Sequence, residues 1–185
     1  RYKTSLALLL GVSLMTSCQS QSVYADFLLR TPDQPMLFDG NDINARTHMA
    51  YASLVSGICL ANAGLGLVHG FAQPLGSLFP VPHGIVCGTM MPAVNRLTVN
   101  KLLNEKSHPA VLKKYAEIGN LFADQKNKTE NYYIELLLDK LDEYVVAFKI
   151  PRLSAYGISK DDFQSIIKQT EMKNHPIKLT AQEME

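Results

Sequence analysis

The sequence predicts an all-α domain, a helical bundle, and three observations carry that prediction. Apolar residues recur at spacings near 3.6, as in Val111, Leu112, Tyr115, Ile118 and Leu121, which marks helices with one buried face. The segments between such stretches are short and carry helix punctuation, namely Asp39-Gly40, Pro82-His83-Gly84, Pro109, Ile150-Pro151 and Gly157. No stretch of useful length alternates apolar and polar residues as a half-buried strand would. At 185 residues, 46% hydrophobic and 19% charged, the chain suits one domain with a real core and does not suit disorder.

Charge and cysteine usage narrow the function classes. A net charge of +1 gives no electrostatic pull toward nucleic acid or an anionic membrane, so neither is expected as a partner. Cys18, Cys59 and Cys87 are an odd count without a CxxC pair. That argues against a disulfide framework or a thiolate zinc site and fits buried thiols in a reducing, cytoplasmic compartment.

Residues 1–38 form a segment of uncertain status. Arg1 and Lys3 precede an apolar run over residues 5–14, and Met15-Thr16-Ser17-Cys18 follows. This is the order of a bacterial lipoprotein signal, which would make the protein lipid-anchored; the competing reading is a buried helix of a cytosolic protein. The run is shorter than the about 20 apolar residues a membrane span needs. Residues 24–29 suit a turn or two of helix, ended by Pro32 and Pro35.

The helical domain is placed at 39–185. Asn41 or Asp42 is a candidate N-cap for a long helix through Leu54, Val55, Ile58 and Leu60, in which His48 is a surface residue. After Gly64-Leu65-Gly66 a second helical stretch carries His69 and Gln73, four apart and so on one face. Pro74 weakens the helical pattern there without ending it, because it removes a bond to the preceding turn. A loop over residues 78–82 leads to His83, and another helix is expected over about 85–95, kinked at Pro92. Pro109 opens the next. A polar turn at 124–129 precedes a helix with Tyr133, Leu137, Leu141 and Tyr144 on its apolar face. Ser159 is a natural N-cap for a helix over 161–170, and Thr180-x-x-Glu183 has the pattern of a capping box opening a last helix.

His69 and His83 stand fourteen residues apart in an otherwise apolar stretch, each beside a glycine. An imidazole in such a place is costly unless its ring nitrogens are satisfied. Two readings stand: each is a hydrogen-bonded core histidine, or the pair, on consecutive helices across a tight loop, binds a divalent metal.

The stretch around these histidines resembles the signature of the iron-containing (group III) alcohol dehydrogenases. The matching residues are Gly64-Leu65-Gly66-x-x-His69-x-x-Ala72-x-x-Leu75-Gly76, then Pro82-His83-Gly84, then Met91-Pro92-x-Val94. Lys114-Tyr115-Ala116-Glu117-Ile118, Ile150-Pro151-Arg152-Leu153, Gly157-Ile158 with Asp161, and Asn174-His175-Pro176-x-x-Leu179-Thr180 follow in the family's order. The resemblance covers roughly 39–185 and implies the family's C-terminal, all-helical domain.

The same resemblance implies that His69 and His83 are two ligands of Fe(II), or of zinc, and that Gln73 faces an NAD or NADP cofactor. The reaction implied is interconversion of a small alcohol and an aldehyde or ketone. The nucleotide-binding α/β domain that holds the cofactor in the family is expected to be absent from this chain, which has no strand–GxGxxG–helix unit. A homo-oligomer is left open.

Two departures from the family pattern support an alternative, a degenerate, non-catalytic helical module that binds or scaffolds. The family adds an aspartate and a histidine, four residues apart on an earlier helix, to its metal site; residues 1–14 contain neither residue type, so those ligands are expected to lie outside this sequence or to be lost. The family also has a second histidine four residues after the first, where this chain has Gln73. Glutamine can hydrogen-bond a hydroxyl, but it does not relay a proton near neutral pH.

Overall fold

A computed structural model describes residues 41–185 of the chain. The signal-like segment, and the helical turns expected at 24–29, lie outside the described residues. Within them the all-α expectation holds: the described residues form helices and turns, with no strand. Seven α-helices follow in order. These are α1 (Ile43–Ala63), α2 (Leu67–Leu78), α3 (His83–Asn104), α4 (Pro109–Leu121), α5 (Glu130–Ala147), α6 (Phe163–Gln169) and α7 (Ala181–Met184). Two 3₁₀ turns, Leu153–Tyr156 and Lys160–Asp162, lie between α5 and α6. No single described helix is long and apolar enough to cross a membrane.

The ends of these helices follow from their sequences. The Asp42 carboxylate accepts the Asn44 N–H at the start of α1. Pro109 enters α4 at its first turn, where its missing N–H has no intrahelical partner to lose. The Thr129 hydroxyl accepts the Tyr132 N–H and caps α5. Ser159 with Asp162, and Thr180 with Glu183, form reciprocal capping boxes. The Ser159 box opens the second 3₁₀ turn, so the helix expected over 161–170 becomes that turn followed by α6.

Helix α3 is the axis of the domain. It gives Met91 and Val99 to one core with Cys59, Tyr115, Ile134, Leu137, Leu138 and Leu141. It gives Val86, Cys87 and Val94 to a second, with Leu67, Phe71, Leu75, Ile166 and Leu179. A helix buried on two sides carries apolar residues around much of its circumference, which is why no single face stands out in its sequence. Polar bonds fix its angle. Asn95 Nδ2 donates to the Met91 carbonyl at 2.8 Å and Asn95 Oδ1 accepts the Tyr115 hydroxyl at 2.7 Å, tying α3 to α4. Arg96 reaches Glu135, Asp139 and Asp142 of α5 at 2.7–3.4 Å, and Lys101 pairs with Glu183 of α7 at 2.6 Å.

One expected boundary moves, and the stretch around Pro74 is helical throughout. Helix α2 runs straight through Pro74, which is buried with Phe71, Ala72 and Leu75. Burial of that face outweighs one lost backbone bond. Helix α3 continues past Asn95 to Asn104, because Thr98, Val99 and Leu102 remain on buried faces.

The glycines of the signature stretch have a packing role. Gly64 adopts φ +74°, the left-handed conformation that closes α1, and its N–H reaches the Leu60 carbonyl at 2.9 Å. A methyl group on Gly70 would overlap the Glu171 carbonyl oxygen, so the segment after α6 lies directly on α2 there. Asn174 N–H donates to the Leu65 carbonyl at 3.3 Å, and the Leu67 N–H points at His175 Nδ1 at 3.5 Å. The far end of the chain thereby clamps the start of the helix that carries His69.

Candidate metal centre

The loop between α2 and α3 brings the two histidines together. His69 lies on the first turn of α2 and His83 is the first residue of α3. Pro82, extended at φ −60°, ψ 132°, precedes His83 and sets the direction in which α3 departs. The imidazole centroids stand 5.4 Å apart with planes tilted by 45°. His69 is half-buried and His83 is exposed, so the pair sits at a surface with one flank in the core.

A third donor joins them. Cys87 lies one turn after His83 on α3, fully buried, with its Sγ 3.4 Å from His83 Nε2. Ligand atoms of His69, His83 and Cys87 all lie within 4.8 Å of one another. Sequence reasoning set the cysteines aside for want of a CxxC pair. The usable signal was His83-x-x-x-Cys87, whose spacing places both side chains on one helix face.

The electrostatics favour neutral imidazole. Burial, and then the neighbouring His83, hold the His69 pKa below its ordinary 6.5. Burial pushes the Cys87 thiol up to about 12. As a donor set, two imidazoles and a sulfur suit zinc or another borderline divalent ion well, and iron acceptably.

Gln73 sits one turn beyond His69 on α2 and is exposed. His48 lies exposed on α1, in keeping with a surface role. An apolar cavity of about 340 Å³ lies elsewhere, lined by Phe71, Leu75, Met90, Val94, Leu97 and Ile166 among others. Phe71 and Leu75 are on the side of α2 away from His69 and Gln73, and none of the three clustered donors lines the cavity. It takes no part in the metal cluster.

Residues 31–185 match the model of the Fe-containing alcohol dehydrogenase family, C-terminal. The chain belongs to this family. Among its relatives is 1,3-propanediol dehydrogenase of Citrobacter freundii, 31% identical over 126 residues, which are 67% of this chain and 30% of the relative. Alcohol dehydrogenase 4 of Saccharomyces cerevisiae is 31% identical over 128 residues, 68% of this chain and 30% of the relative.

Solved structures agree. A 1,3-propanediol oxidoreductase superposes with a TM-score of 0.79 at 26% identity, over 99% of this chain and 49% of that one. The alcohol dehydrogenase from Oenococcus oeni gives the same TM-score at 22% identity and shares the fold. The chain thus spans about half the length of the solved relatives it matches. The expectation of an iron-type alcohol dehydrogenase C-terminal helical domain is borne out.

Proposed function

We propose that this chain is the metal-binding helical half of an NAD(P)-linked alcohol dehydrogenase that interconverts a small alcohol and an aldehyde or ketone. The observation that carries the reading is the convergence of His69 and His83 at the α2–α3 loop, within a domain of the iron-containing family. Relatives named for 1,3-propanediol, choline, methanol and butanol support a small alcohol as the substrate class. Two of these are named as NAD- or NADPH-dependent.

His69 and His83 would hold Fe(II) or zinc, and a bound ion would supply Lewis-acid polarisation of the substrate oxygen. The chain's own residues prepare that chemistry. The depressed pKa of His69 keeps its ring neutral near physiological pH, the form that donates a nitrogen lone pair. The Asn174–Leu65 bond and the close approach of Glu171 to Gly70 fix α2 and therefore the His69 backbone. Leu67, Val68 and Val86 are buried with Cys87 in the second core, which backs the histidine pair with apolar surface. Gln73 would face the nicotinamide cofactor, its amide offering a donor and an acceptor to a ribose or substrate hydroxyl.

The second reading, a helical module of the same fold without catalysis, draws on Gln73 standing where the family pattern has histidine. Anaerobic loading of the full-length protein with Fe(II) or Zn(II), followed by gel filtration and elemental analysis, separates the two. The dehydrogenase reading expects retained metal that is lost in His83→Ala. A chain that retains no metal sinks it and leaves the non-catalytic module.

A further inference from the structure

We propose that Cys87 is a third protein ligand of the metal centre, giving a two-imidazole, one-thiolate donor set that favours zinc over iron. The inference rests on the metal-binding reading above and adds to it a donor outside the aspartate and histidine pattern to which the family resemblance points.

The geometry is the first support. Zinc in tetrahedral coordination, with bonds of about 2.3 Å to sulfur and about 2.0 Å to nitrogen, sets its sulfur and nitrogen ligands about 3.5 Å apart. Cys87 Sγ and His83 Nε2 stand at 3.4 Å without an ion between them. A thiol–imidazole hydrogen bond alone would account for that one distance. It would not account for the His69 ring, brought to the same point from another helix, with its donor atom also within 4.8 Å of the sulfur.

Placement is the second. His83 opens α3 and Cys87 follows one turn later, so a rigid helix presents both donors from one face. His69 comes from α2, clamped by the 171–175 segment, so the set is held from two directions. Cys87 is fully enclosed among apolar neighbours and His83 is exposed. The buried side of the centre is therefore sulfur and hydrocarbon, and the open side faces solvent. Three protein donors is the number a catalytic zinc centre uses.

Ligation is balanced simply. The thiol proton passes to solvent as the sulfur–metal bond forms, the ion keeps its oxidation state, and the thiolate cancels one unit of its charge. A soft sulfur donor raises affinity for zinc and cobalt relative to Fe(II).

Cobalt(II) reads the sulfur directly. The chain, loaded anaerobically with Co(II), is expected to show a near-ultraviolet thiolate-to-cobalt charge-transfer band that persists in Cys59→Ala and is lost in Cys87→Ala. Cobalt bound without the band overturns the Cys87 assignment and leaves the two-histidine reading standing. A band that survives in Cys87→Ala overturns it too, by placing the sulfur elsewhere. Failure of the wild-type chain to take up cobalt overturns both readings. Because a buried residue's variant can misfold, the wild-type chain loaded with zinc provides a second measurement. Its X-ray absorption spectrum is expected to contain a sulfur shell at about 2.3 Å; a shell of nitrogen and oxygen alone overturns the proposal.

Discussion

His175 holds one imidazole in one protonation state. Its Nδ1 accepts from the Leu67 N–H, and Thr98 Oγ1, already donating to the Val94 carbonyl, receives its Nε2–H at 3.0 Å. Those partners fix the neutral ring, and burial lowers its pKa from 6.5 to about 4. Above pH 6.5 folded and unfolded chains are both neutral here and the group contributes nothing. As pH falls from 6.5 toward 4 the unfolded state takes a proton that the folded state refuses, so stability is lost across that window. At pH 5 the loss is about 1–2 kcal/mol, discounted for partial exposure. The urea midpoint of the wild-type chain should fall between pH 7.5 and pH 5 by more than that of His175→Gln; equal falls would show that the ring titrates freely. His69, also depressed, acts in the same direction in both chains, so the difference isolates His175. Gly70→Ala belongs to this scale as well. The added methyl meets the Glu171 carbonyl oxygen, a backbone atom that cannot swing aside, and a cost of about 1–3 kcal/mol in thermal or urea unfolding is expected.

Between elements, burial decides and surface charge adjusts. The α3–α5 contact contains both kinds of interaction. Arg96 meets three carboxylates but is part-exposed, so Arg96→Ala should cost less than about 1 kcal/mol. Leu138, buried in the same core, should cost about 2–5 kcal/mol when cut to alanine. Chemical denaturation of both variants checks the ranking, and a reversal would mean that the ion-pair cluster holds the helices together. The same balance explains which elements were legible in the sequence. Capping chemistry is local, so Thr180 with Glu183 and Pro109 at a first turn read correctly. Pro74 weakened the helical pattern because its penalty is local, while the burial that overrides it comes from α3 and α6. The C-terminal half of α3 was missed because a helix buried on two sides carries no single apolar stripe. Cys87 was missed because thiolate sites are sought by cysteine pairs, and here the partners are imidazoles.

At the scale of the whole molecule, two cores share α3, and the metal-ligand cluster lies where α2 and α3 meet, at the edge of the second core. The resemblance in the glycine and histidine motif pointed to the family and the fold, and the family match confirms both. What short motifs could not convey is how the far C-terminal segment supports the site: Glu171 and His175 meet α2 at Gly70 and Leu67, and Asn174 bonds to Leu65 just before it. Truncation of that segment is therefore expected to weaken metal binding without removing a ligand, a loss measurable by zinc titration of the shortened chain. The most direct measurement of the central claim is an anomalous difference map at the zinc edge from crystals of the chain grown with zinc. A peak is expected between the imidazoles of His69 and His83. No peak there, or zinc bound only elsewhere on the chain, would contradict it.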